Sequence, residues 1–164
     1  MKSTLFAFFL ATIGVPGFCF ADPCCFPTVD AYMSKSYGAS HADDENIFVK
    51  EEKYGNDVFY WVADKTSGTN YARSLLKKNA SGEFCLVLST RPAAQVVPEM
   101  VDTLGAPRQF VATEQAPPGM PEHEITYELN GTSLKYEAKT CKAISHIGKR
   151  RTVKSISCGR FLTP

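Results

Sequence analysis

The sequence predicts an α+β fold for residues 22–164. A single domain is expected, in which an antiparallel β-meander of about six to eight strands carries one or two short helices and is stapled by disulfides. Three observations lead there. Apolar and polar residues alternate with period two on both sides of Asn130-Gly131, the pattern of half-buried antiparallel strands joined by a tight turn. Upstream, short apolar runs recur between turn signals rich in glycine and asparagine. Cysteines recur along a chain that opens with an export signal.

That signal comes first in the chain. Lys2 supplies a positive start, Leu5 to Val15 an apolar stretch, and Cys19-Phe20-Ala21 a small-x-small cleavage site. Residues 1–21 are therefore expected to be a signal peptide, with Asp22 the first mature residue and the product periplasmic or secreted. The apolar stretch is short for a membrane span and nothing later approaches its length, so no stable membrane insertion is expected.

A short helix is expected over Pro27 to Ser36, stopped by Gly38. Strands follow at Ile47 to Tyr54 and Val58 to Ala63, around Gly55-Asn56, and at Tyr71 to Lys77 and Phe84 to Ser89, around Asn79 to Gly82. The run Phe84-Cys85-Leu86-Val87-Leu88 is continuously apolar and reads as a central strand. Tyr54, Phe59, Tyr60 and Trp61 crowd the first hairpin and must send bulky groups to both faces, so its outer face meets a helix or a partner. Pro98 to Leu104 reads as a second helix, with proline in its first turn and Gly105 as its stop. Residues Ala116 to Pro121 form a proline-rich loop. Closing the next hairpin on Asn130-Gly131 as a two-residue type I′ turn would pair Leu129 with Thr132, Tyr127 with Leu134 and Ile125 with Tyr136, which puts the apolar set on one face. Val153 to Ser157 is the last expected strand.

Beyond the signal the chain keeps Cys24, Cys25, Cys85, Cys141 and Cys158. The expected bonds are Cys141 with Cys158, and Cys85 with either Cys24 or Cys25. An odd number leaves one thiol over, or one that pairs between chains.

Once Lys2 is removed, acidic and basic residues balance, so net charge points to neither nucleic acid nor a membrane surface. Their distribution is uneven. The stretch 22–64 is acidic, whereas Lys139, Lys142, His146, Lys149-Arg150-Arg151, Lys154 and Arg160 crowd the C-terminal part. Enclosed between Cys141 and Cys158, Lys142, Lys149, Arg150, Arg151 and Lys154 are the expected partner-binding residues, for a protein with an acidic surface. The plainer reading is a solvated face that balances the acidic half of the same fold.

Catalytic and metal signals are weaker. His41, Asp43, Asp44 and Glu45 lie close enough in sequence for a hard cation, but lack the alternating ligands and glycine of a calcium loop. Glu122-His123-Glu124 would serve a small hydrolase, with His41 or His146 brought from elsewhere. A spare cysteine could act as a nucleophile only as a free thiolate, and Met33 and Met120 show no soft-metal spacing with the cysteines. No phosphate loop, nucleophile elbow or zinc-protease motif occurs. Asn79-Ala-Ser81 and Asn130-Gly-Thr132 match the glycan acceptor pattern, which matters only on a eukaryotic secretory route. The expectation is therefore a non-enzymatic, cofactor-free exported protein that binds and neutralises another protein, such as a periplasmic immunity protein or an inhibitor of a wall-degrading enzyme. A periplasmic hydrolase using His123 with Glu122 or Glu124, and a ligand or metal carrier, are the alternatives.

Overall fold

The computed structural model describes residues 24–39, 44–65 and 70–160; the expected signal peptide, residues 1–21, lies outside them. Among the described residues, two five-stranded antiparallel sheets, one short α-helix and a single 3-10 turn at Cys158–Arg160 make up the fold. In the first sheet β2 (Ile47–Tyr54), β3 (Asp57–Asp64), β4 (Tyr71–Lys78) and β5 (Phe84–Ala93) pair in sequence order, and the two-residue β1 (Cys25–Phe26) closes the far edge of β5. The second runs β6 (Gln95–Val101), β7 (Pro107–Glu114), β8 (Glu122–Leu129), β9 (Tyr136–Ile147) and β10 (Arg150–Ile156).

Alternation along the strands explains the layers. Phe59 and Trp61 of β3 and Leu75 of β4 face Phe110 of β7 and Ile125 and Tyr127 of β8, so the two sheets share one core. Phe110 is fully buried at its centre, edge-on to Trp61 at 5.4 Å and to Tyr136 at 4.9 Å between ring centroids. The intervening Val62 of β3 and Leu76 of β4 point the other way and are covered by α1 (Val29–Tyr37) through Tyr32. The outer face of the aromatic-rich hairpin thus meets a helix. Thr28 caps α1 by accepting from the Ala31 N–H, Asp30 suits the positive end of the helix, and Gly38 at φ +91° ends it. The Tyr32 hydroxyl lies 2.7 Å from Ser74 Oγ, which satisfies both buried hydroxyls.

Between β5 and β6 the chain passes from one sheet to the other at Ala94. Arg73 holds that corner, its guanidinium donating to the carbonyls of Ala93 and Ala94. The disulfides with both partners among the described residues are Cys25–Cys85, where register sets the two residues opposite each other, and Cys141–Cys158.

Four expectations need correction. The stretch Pro98 to Leu104 is no helix. Residues 95–101 form β6, whose Val96 and Val97 pair with β7; proline is tolerated because β6 is an edge strand, and the register slips just beyond it, between Pro98 and Met100. β5 is not central, since only β1 lies outside it. The hairpin does not close on Asn130-Gly131. Leu129 pairs with Tyr136 across a six-residue loop, in which Asn130 Oδ1 accepts from the N–H groups of Thr132 and Ser133. Positive φ falls on Leu134, at 54°, and not on Gly131. Ile125, Tyr127 and Tyr136 still face the core, but a register shift after Thr126 leaves Lys139 without an opposite and brings Cys141 inward against Ile125. Finally, the expected spare thiol is not found: Cys24 is disulfide-bonded as well, and no described cysteine is free.

Burial also tunes the phenols. Tyr54 is pushed up to about 12, mainly by burial and then by its hydrogen bond to Glu52, and burial raises Tyr37 and Tyr136 further. A folded-state value above the unfolded one, about 10 for tyrosine, means stability that is complete below pH ~10 and is lost as pH rises through the folded value. Spectrophotometric titration should therefore show part of the seven tyrosines ionising only together with loss of the fold, near or above pH 12. Reversible ionisation of all of them around pH ~10 with the fold retained would contradict the packing described here.

Candidate functional site

The basic segment forms an arm. β9 pairs with β8 only as far as Ile144, opposite Glu122, whereas its pairing with β10 continues to Ile147, opposite Arg150. Residues 145–147 and 150–152 therefore extend beyond β8 as a two-stranded projection. Gly148 and Lys149 make its two-residue turn, with Gly148 at φ +59°. The tight glycine turn looked for at residues 130–131 occurs here instead, with no flanking alternation strong enough to announce it.

At the base, Cys141–Cys158 closes the arm with its Cα atoms 5.3 Å apart, and Ile156 and Cys158 pack against the inter-sheet core. The covalent link thus anchors a strand that is otherwise exposed from Arg150 to Ser155. Register opposes Arg151 to His146 on one face of the arm, and Arg150 to Ile147 and Lys154 to Ala143 on the other. Positive charge is available on both faces. Ile147 is 74% exposed and Val153 48%, so the arm also offers apolar surface among its bases.

Of the five expected partner-binding residues, Lys149, Arg150, Arg151 and Lys154 lie on the exposed part of this arm. Lys142 does not join them. It sits inside the sheet, 2.6 Å from Glu124 on β8, which neutralises it locally.

Glu122, His123 and Glu124 do not converge. Strand alternation turns both carboxylates away from the histidine; Glu124 meets Lys142, and Glu122 lies 3.8 Å from His146. His123 shares the core-side face with Ile125, and its Nδ1 is 2.9 Å from Glu114 on the neighbouring β7, a pairing with no local sequence signal because the residues lie on separate strands. His41 and Asp43 lie outside the described residues. Asp44 accepts from the backbone and side-chain amides of Asn46, capping the entry to β2. Among the described residues no three His, Cys, Asp or Glu side chains gather as a metal cluster, and no helix is long and apolar enough to cross a membrane. Asn79 and Asn130 both spend their side chains on their own turns.

Sequence reasoning missed a cleft of about 720 Å³ between the sheets at the end away from the arm tip. Phe59, Val87, Pro107 and Tyr136 form its apolar floor, and loops 79–83, 102–106 and 130–135 contribute its rim. Residues from seven strands and three loops build it, so no contiguous motif encodes it. No family model, curated protein or solved structure matches the chain.

Proposed function

We propose that this chain is an exported binding protein that docks an acidic protein partner through the β9–β10 arm and so neutralises it, as a periplasmic immunity protein or an inhibitor of a wall-degrading enzyme does. One observation carries the reading: a disulfide-anchored hairpin projects past its sheet with Lys149, Arg150 and Arg151 at its tip and Ile147 exposed beside them. A rigid projection loses little conformational freedom on docking, which raises affinity for a given contact area. Its charge attracts an acidic surface at a distance, and its exposed isoleucine offers a desolvated contact on arrival. The two disulfides fit an oxidising compartment, where such a staple persists.

The test is Lys149→Glu combined with Arg150→Glu and Arg151→Glu. The partner is first captured on immobilised protein from periplasmic and secreted fractions and identified, and association is then followed by surface plasmon resonance. Association at low salt should slow at least about tenfold while the melting temperature stays put, since rim charges act on encounter rate. His123→Ala should leave association as it was. An unchanged rate in the triple variant, or a loss confined to His123→Ala, would overturn the proposal.

A further inference from the structure

The first sheet ends at β2, and the phase of its ladder shows which main-chain groups look outward. Lys65 donates to the Asn46 carbonyl, one step beyond the pair Ile47–Asp64, and Tyr54 pairs with Asp57 across a two-residue turn. Hydrogen-bonded and non-hydrogen-bonded pairs alternate in an antiparallel ladder, so Phe48, Lys50, Glu52 and Tyr54 spend their main-chain groups on β3, whereas Val49, Glu51 and Lys53 turn theirs outward. The Ile47 N–H returns to the Asp44 carbonyl at 3.0 Å, which ends the open border at Val49. Among the described residues no strand lies beyond β2, and its ladder with β3 contains neither proline nor register shift.

The side chains of β2 complement themselves in one register. Phe48, Lys50, Glu52 and Tyr54 share the face toward the second sheet, where Glu52 accepts from Lys50, Tyr54 and Trp61. A two-fold axis perpendicular to the sheet and passing through Glu51 sets Lys50 of each copy opposite Glu52 of the other, and Phe48 opposite Tyr54. These are the non-hydrogen-bonded pairs, in which side chains come closest and opposite charges or aromatic rings stabilise most. Val49, Glu51 and Lys53 then exchange main-chain bonds with Lys53, Glu51 and Val49 of the other copy, so the three outward residues are all used and Ile47 is not needed. One pair is unfavourable, Glu51 against its equivalent, but it falls in the wider type of pair, and the Tyr60 hydroxyl on β3 donates to that carboxylate at 2.8 Å. Neighbouring registers fit worse. Centring on Lys50 opposes two lysines and calls on the Ile47 N–H already spent, and centring on Glu52 opposes two carboxylates in a close pair.

We propose that two copies of this chain associate by antiparallel β2–β2 pairing centred on Glu51, which joins their first sheets into one. Main-chain hydrogen bonds supply the contact, and the Lys50–Glu52 and Phe48–Tyr54 pairs fix the register. The contact is isologous and closes after two copies, because each β2 has a single open border. It stands independently of the arm, which belongs to the second sheet.

Sedimentation velocity of the unaltered protein from about 1 μM to about 1 mM tests it, and a concentration-dependent equilibrium of monomer and dimer is expected. Lys50→Glu should weaken the dimer about tenfold or more, because it sets like charges in both close pairs. Glu51→Gln should tighten it about threefold, because the repulsive pair disappears while Tyr60 keeps its acceptor. Glu51→Pro removes an N–H that β3 does not use, so the native circular dichroism should remain and the dimer should be lost. Charge reversal at residues 149–151 should leave the equilibrium as in the unaltered protein. A protein that stays monomeric over the whole range, a dimer that persists in a natively folded Glu51→Pro variant, or shifts of the same sign in Lys50→Glu and Glu51→Gln would overturn the pairing.

Discussion

Gly55→Ala should lower stability by about 4 kcal/mol, a loss large enough to leave much of the protein unfolded. Gly55 turns the chain from β2 into β3 at φ +58°, where a side chain is strained in any surroundings. Here the surroundings are also closed. A Cβ would stand 1.9 Å from the carbonyl oxygen of Leu104 and 2.9 Å from its carbon, both backbone atoms of the β6–β7 turn. The two sheets touch main chain to main chain at that point, so the clash can be relieved only by separating them. Gly148→Ala is the control, because Gly148 has φ +59° and nothing within 4 Å of the added Cβ. It should cost only the strain, about 1 kcal/mol. Urea denaturation with comparable slopes measures both. Similar losses at the two glycines would mean that the turns do not meet as described.

Phe110→Ala should cost a comparable ~3 to 5 kcal/mol. The ring is fully buried and takes edge contacts from Tyr54, Trp61 and Tyr136, groups from both sheets. Its removal leaves a cavity that three large rings cannot all collapse into, so the transfer loss and the void add. Met100→Ala, in an edge strand and 51% exposed, should stay within about 0.5 kcal/mol. A Phe110→Ala loss as small as that of Met100→Ala would show that the inter-sheet core is not where stability resides.

Local signals read correctly where the physics was local. Gly55-Asn56 closed its hairpin because positive φ is a demand that glycine meets within two residues, and Gly38 stopped the helix expected over Pro27 to Ser36 for the same kind of reason, the helix itself running Val29–Tyr37. The helix assigned to Pro98–Leu104 failed because its cues, proline early and glycine late, also describe an edge strand that ends in a turn. The difference lies in β7, a partner that the segment itself does not encode. Asn130-Gly131 misled through a rival use of asparagine: its side chain caps the turn from Thr132 and Ser133, which favours a wider loop than the type I′ pattern. Cys141–Cys158 was legible because it closes a short basic segment. The choice of Cys25 over Cys24 needed the β1–β5 register. The basic arm was visible as composition, but its projection beyond β8 was not, since strand lengths of different hairpins must be compared to see it. The cleft is a property of seven strands and three turns together and leaves no trace in any one of them.

Three of the four sheet edges carry features that oppose pairing with a second copy. Each open strand border is a template on which a second copy could continue the ladder and begin an aggregate. β6 interrupts that template with Pro98 and two register shifts, and β1, pinned by its cystine, occupies the border of β5. Along β10 the ladder is regular, yet two copies meeting there would bring two sets of the bases Arg150, Arg151 and Lys154 close together. The same charges that are proposed to attract an acidic partner would thus oppose pairing of this strand with a second copy.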